Sequence, residues 1–174
     1  VARNVEIKAA VKDFDRVETA LTALSATDPV QLDQEDTFFP CPRGRLKLRK
    51  LSPSLGQLIH YLRPDDPGPK TSDYVVVATT EPDRLRDTLA TAYGVLAVVR
   101  KRRTVRLVGR TRVHLDTVEG LGSFVELEVV LDDGETSERG VAEARRLMAA
   151  LGIGKDQLVS RAYVDLLQTA MGTR

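Results

Sequence analysis

The residues best able to do chemistry in this chain come as charged pairs set two positions apart. Glu6 and Lys8 form one such pair, Lys47 and Arg49 another, and Lys101 and Arg103 a third. Tyr61 stands with Arg63, Arg110 with Arg112, His114 and Asp116, and Glu126 with Glu128. In extended chain, side chains two apart share a face, and the residues between them here are largely apolar: Ile7, Leu48, Val113, Leu115 and Leu127. Taken singly, each pair reads equally well as the wet outer face of a sheet. Five or six strands with the same device and both signs of charge fit a second arrangement, a sheet curled on itself with the charges inside and the apolar faces under helices. Like charges about 4 Å apart repel by roughly 4 kcal/mol at an effective dielectric near 20. Such an interior therefore requires compensation: ion pairs, a bound polyanion on the basic side, a divalent cation on the acidic side. Oxygen ligands such as Glu6, Asp116, Glu126 and Glu128 suit Mg²⁺ or Mn²⁺ better than zinc, and Arg and Lys suit phosphate.

The elements that would position these groups follow from periodicity. Val5–Ala9 alternates as a strand, then Asp13 offers a helix N-cap before Phe14, Val17, Leu21 and Leu24. Phe38-Phe39 reads as a short strand and Pro40–Gly44 as a turn. Arg45–Leu51 and Gln57–Arg63 read as a hairpin, and Pro64–Pro69 as a loop. Asp73–Thr79 is a strand by propensity, followed by a helix over Thr80–Tyr93 with Thr80 as its cap. Three strands are expected at 96–108, 110–118 and 123–131, then a helix at Thr136–Leu151 and a short helical end at Lys155–Met171. The expectation is a single α+β domain over residues 1–174, dominated by antiparallel strands.

Composition narrows the function classes. With 26 basic and 25 acidic residues the formal charge is +1, so no global polycation drives binding to nucleic acid or membrane. Aromatic residues make up 5% and Trp is absent, which leaves little for base stacking. The basic run Arg100–Arg103 divides between two faces of a strand, a further reason to set nucleic acid aside as the main partner. No apolar run is long enough to span a bilayer. A single cysteine, Cys41, rules out an intramolecular disulfide and suits a reducing cytoplasm. His114 can be read as an acid/base or as a structural histidine paired to a carboxylate; both readings stand. Cys41 sits in a Pro-rich turn with no histidine nearby in sequence and reads as inert.

A series of segments, in order along the chain, resembles the CYTH family of triphosphate-tunnel metalloenzymes, which includes class IV adenylyl cyclases and thiamine triphosphatases. They are Asn4-Val5-Glu6-Ile7-Lys8, Gln34-x-Asp36-x-Phe38-Phe39, Gly44–Arg49, Leu58–Arg63, Lys101-Arg102-Arg103, Arg112–Asp116 and Gly120–Glu128. The resemblance covers residues 4 to about 163. It implies a closed eight-stranded antiparallel β-barrel, a tunnel open at both ends, with flanking helices. It implies that Glu6, Glu126 and Glu128 hold Mg²⁺ or Mn²⁺ with Asp116 nearby. It also implies that Lys8, Lys47, Arg49, Arg63, Lys101, Arg103, Arg112 and, in the C-terminal stretch, Arg161 grip phosphates. A homodimer is the state the resemblance suggests. Two departures stand out: Asn4 replaces the family's opening Glu, and residues 55–64 contain no Lys where hydrolytic members place one. The expected activity is hydrolysis of a small organic triphosphate. The alternatives are cyclisation of ATP to cyclic AMP and pyrophosphate, chemistry on another phosphate or diphosphate ester, and a non-catalytic polyphosphate- or nucleotide-binding module.

Overall fold

A computed structural model describes residues 2–66 and 68–172. Val1, Pro67, Thr173 and Arg174 lie outside the described residues, so only the flanks of the 64–69 loop are described. Eight antiparallel strands close into a barrel in the order β1-β5-β4-β3-β2-β6-β7-β8. They are β1 (Ala2–Ala10), β2 (Val30–Phe39), β3 (Arg45–Ser52), β4 (Leu55–Leu62), β5 (Lys70–Thr79), β6 (Ala97–Val108), β7 (Thr111–Val118) and β8 (Gly122–Val130). The helices are α1 (Asp15–Ala23), α2 (Pro82–Tyr93), α3 (Ser137–Ala150) and α4 (Tyr163–Gly172). Among the described residues no helix is long and apolar enough to cross a membrane.

Alternation decides which side chain goes where. Val5, Ile7 and Ala9 of β1 point outward and meet Val125, Leu127 and Val129 of β8 beneath Ala144, Leu147 and Met148 of α3. Each fully buried Leu or Ile contributes roughly 1.5–3 kcal/mol, so this face anchors the barrel wall. Gly140 lets α3 approach that closely, because a Cβ there would lie 2.8 Å from Val5 Cγ2. The residues in between, Glu6 and Lys8, are thereby turned to the interior.

Several local expectations change. β2 is ten residues long rather than a Phe38-Phe39 fragment. Its polar stretch, Gln31 to Asp36, has weak strand propensity and is stabilised by pairing with β3 on one side and β6 on the other. The N-cap of α1 is Phe14; Asp13 Oδ1 instead accepts from the backbone N–H of Asp15. Pro82 opens α2 with Glu81, not Thr80, at its N-cap. Arg110 lies in the β6–β7 turn and pairs outside the barrel with Glu135 and Glu143, so it does not continue the inner row of Arg112 and His114. The C-terminal stretch is a 3₁₀ turn at Lys155–Gln157, an extended connection, then α4.

Nor is the barrel open at both ends. Ala162, Tyr163 and Val164 pack on Phe38, Ala97, Val118 and Phe124 at one end, which would otherwise expose these apolar side chains to water. Asp165 secures that cover: its Oδ2 accepts from Arg45 Nη2 at 2.7 Å and from the backbone N–H of Ala162 at 3.2 Å. Asp165→Ala should lower stability by about 1–3 kcal/mol, read as a reduced midpoint in denaturant titration.

Candidate active site

The interior is a cavity of about 550 Å³. Among the described residues seven basic side chains line it, Lys8, Lys47, Arg49, Arg63, Lys101, Arg103 and Arg112, against four acids, Glu6, Asp36, Glu126 and Glu128. Apart from Arg161 and Asp116, every residue the sequence points to is thus brought into one space. Exposed Arg161 lies apart, its guanidinium donating to the Asp165 carbonyl, while its own carbonyl accepts from Lys8 Nζ at 3.1 Å. Fully buried Asp116 shares the inward row of Arg112 and His114 but lies beneath Arg103 and Tyr163, accepting two 2.6 Å bonds from Arg103 and one of 3.0 Å from Tyr163 Oη.

The charges fall into linked groups. Asp36 is the hub of the first: Arg49 forks onto both its oxygens at 2.7 and 2.8 Å, Lys47 donates at 2.9 Å and Lys101 stands 4.0 Å away. Burial alone would raise the Asp36 pKa, but Arg49 and Lys47 hold it well below the usual carboxylate range. In the second group, Arg103 bridges Asp116 and Glu126, and Glu126 lies 3.4 Å from Lys8 and 3.7 Å from His114 Nδ1. Burial would raise Glu126, yet Lys8 and Arg103 hold it well below its usual value. In the third, Glu6 takes one bond from Arg63 at 3.1 Å, leaving buried Arg63 Nε and Nη2 without a partner. Such unsatisfied donors suit an anion.

Lys101 is pushed down to about 7, first by burial and next by Arg103 beside it. Tyr163 forms part of the floor, its ring 3.7 Å from Lys8 Nζ and 5.2 Å from Lys101 Nζ. Three residues here were not among those singled out for the site from sequence. Asp36 belongs to a segment of the family resemblance but lies in a polar stretch with weak strand propensity, and Tyr163 lies in the C-terminal helix. The third, Lys70, shares the inward row of Ser72 and Tyr74 and sits opposite Glu6 across β1 and β5. Its Nζ donates to the Asp66 and Ser160 carbonyls, and burial, then Arg63, push it down to about 8.

The sequence matches the CYTH domain over residues 2–163. The chain belongs to the CYTH family. It is 29% identical over 176 residues to adenylate cyclase CyaB of Aeromonas hydrophila, covering 96% of this chain and 90% of that protein. In three dimensions it is similar to the PH1012 protein of Pyrococcus horikoshii OT3, with a TM-score of 0.83 at 21% identity, over 94% of this chain and 98% of that one. It also resembles HpAC1 of Hippeastrum, a protein described as having a dominant triphosphatase activity, with a TM-score of 0.61 at 15% identity over 98% and 96% of the two chains.

CYTH proteins are in general metal-dependent, and the donors here fit a hard divalent cation. Glu6 faces Glu128 across the β1–β8 register, and its carboxyl is held above the usual range by burial and then by Glu128. Asn4 Oδ1, one inward position along β1 from Glu6, is buried without a partner. These are oxygens short of positive charge. Among the described residues His, Cys, Asp and Glu do not gather in threes around one point. Glu6 is drawn to Arg63, Glu126 to Lys8 and Arg103, and Glu128 to Arg112 at 3.2 Å.

Proposed function

We propose that this CYTH protein is a divalent-metal-dependent enzyme that hydrolyses a phosphoanhydride of a small organic triphosphate. The observation carrying this reading is that, among the described residues, seven basic side chains line a cavity closed at one end, against four lining carboxylates and the buried Asp116 beneath Arg103. A triphosphate supplies the missing negative charge. Arg49, Lys47 and Arg103 would fix the phosphates in line. Arg63, with two unpaired donor nitrogens, would take charge developing on an outgoing oxygen. Glu6, Glu126 and Glu128 would hold Mg²⁺ or Mn²⁺, which when bound neutralises phosphate charge and polarises phosphorus. Water attack on the terminal phosphorus breaks its bond to the bridging oxygen, which leaves on the diphosphate. Tyr61, which burial pushes further above its ordinary range, is unsuited to act as a base.

The second reading is cyclisation, in which the ribose 3′-hydroxyl of ATP attacks the α-phosphorus and pyrophosphate leaves. It is favoured by likeness to a protein named adenylate cyclase. Incubation with Mg²⁺ or Mn²⁺ and ATP, thiamine triphosphate, tripolyphosphate or prenyl diphosphates separates the readings. Orthophosphate without cyclic AMP is the expected outcome, and cyclic AMP with pyrophosphate would replace hydrolysis by cyclisation. Tight ligand binding without turnover would make the protein a sensor.

Lys101 and Lys70 give the binding a pH signature. A polyanion in the cavity favours the charged form of Lys101, which lines it, and less strongly that of Lys70, which lies behind the lining, so binding takes up protons wherever the free lysines have begun to lose theirs, from about pH 7 for Lys101 and 8 for Lys70. Secondary phosphate ionisation, near 6 for phosphate esters, is largely over by then. Affinity for ATP, which has a single terminal phosphate, should therefore fall between pH 7.5 and 9.5 in calorimetry. Constant or rising affinity would show that these lysines stay charged in the free protein.

A further inference from the structure

Tyr163, the first residue of α4, is fixed from three sides. The start of the helix is pinned by Asp165 Oδ2, which accepts from Arg45 and from the backbone N–H of Ala162. Phe124 of β8 meets the ring edge-on, 5.0 Å between centroids. The hydroxyl donates to Asp116 Oδ2 at 3.0 Å. A plain stopper needs none of this polarity, because Phe124, Ala162 and Val164 already gather apolar side chains at that end.

Three of the basic side chains that line the cavity depend on this tyrosine. Lys8 Nζ stands 3.7 Å from the ring centroid and Lys101 Nζ 5.2 Å, both within the range at which an aromatic face attracts an ammonium. Lys101 has little else to hold it. Its nearest carboxylates, Asp116 and Asp36, stand at 3.8 and 4.0 Å, too far for a hydrogen bond, and its side chain is 4% exposed. Arg103 is reached indirectly: it forks onto Asp116 with two 2.6 Å bonds, and Tyr163 Oη holds the same carboxylate. The choice of an aromatic ring matters electrostatically. A carboxylate under Lys8 and Lys101 would offset the charge that a phosphate needs to meet, whereas a neutral ring attracts both cations and leaves their charge whole.

We propose that Tyr163 is a positioning residue for the phosphate chain: its ring seats Lys8 and Lys101, and its hydroxyl, through Asp116, seats Arg103. This inference rests on the triphosphate reading above. The closing helix is then part of the binding surface, and loss of the ring weakens polyphosphate binding beyond any effect on folding.

Tripolyphosphate binding would be followed by calorimetry without added metal, beside a thermal melt of each variant and ATP turnover with Mg²⁺ or Mn²⁺. Tyr163→Leu keeps apolar bulk but loses ring and hydroxyl, and should weaken binding by about tenfold or more. Tyr163→Phe keeps the ring, and Asp116 keeps its fork onto Arg103, so binding should stay within about threefold of wild type. Val164→Ala is the control. This buried neighbour packs in the same cover but does not line the cavity, so the variant should melt earlier and bind as wild type does. If Tyr163→Leu does not fold, a trifluorinated phenylalanine at position 163 takes its place, since fluorine withdraws the ring's negative face and keeps its shape. That ring should bind tripolyphosphate about threefold or more weakly than Tyr163→Phe. Tyr163→Leu binding as wild type does, Tyr163→Phe as weak as Tyr163→Leu, equal losses in Val164→Ala, or no effect of fluorination would overturn the proposal. With wild-type binding and turnover intact, such a result removes the role of Tyr163 alone. A wild type that binds neither tripolyphosphate nor ATP would remove the triphosphate reading and this inference with it.

Discussion

Glu126→Gln should lower kcat for triphosphate turnover by roughly 10²–10³-fold, the scale on which a single preorganised electrostatic contact acts. Glu126 meets Arg103 at 2.6 Å, Lys8 at 3.4 Å and His114 at 3.7 Å, so three inward groups take their position from one carboxylate. It is also one of the three acids that would hold the divalent ion. The amide keeps the volume and loses the charge. Arg103 remains forked onto Asp116, so the barrel should keep its fold and its circular dichroism. The measurement is turnover with Mg²⁺ or Mn²⁺ beside a thermal melt. A folded variant with the wild-type rate would mean that the reacting phosphate lies elsewhere.

Asp36→Asn should act on the fold itself. Asp36 is 1% exposed and is the shared counterion of Arg49 and Lys47, with Lys101 at 4.0 Å. Breaking a buried pair by removing one partner costs about 3–5 kcal/mol, a large part of the ~5–15 kcal/mol that holds a domain folded. For a domain of this size that is a fall in Tm of roughly 6–20 °C. Added tripolyphosphate should restore part of the loss, because it replaces the missing negative charge and binds only the native state. Since the folded pKa of Asp36 is depressed, its contribution is complete above its unfolded value, near 4, and is lost as pH falls toward the lower folded one. A variant melting with the wild type would mean that water, not Asp36, compensates these cations.

The hollow barrel was legible because polar alternation on β1, β3, β6, β7 and β8 placed like types two apart. The physics that turned Glu6, Lys47 and Glu126 inward is the burial of Ile7, Leu48 and Leu127 on the other face. β2 was harder to read. Gln34 and Asp36 look like loop residues until cross-strand bonds and facing cations stabilise them, and one of the two partner strands, β6, is distant in sequence. Lys70 follows a Pro- and Gly-rich loop, and only its pairing opposite Glu6 brings it to the site. Tyr163 depends on where the C-terminal helix docks, and local periodicity carries no information about that. Metal ligation by Glu6, Glu126 and Glu128 was suggested by family resemblance, and the ion pairs now holding each of them are tertiary facts.

Because Ala162–Val164 stop one end of the barrel, the passage is a blind alley. A compound that goes in phosphate-first must come out in reverse order after cleavage. Under the hydrolysis proposed above, an organic product nearer the rim would leave first, and an inorganic fragment against Tyr163 would leave last. Steady-state inhibition should record that queue: orthophosphate competing with substrate, the organic diphosphate giving a mixed pattern.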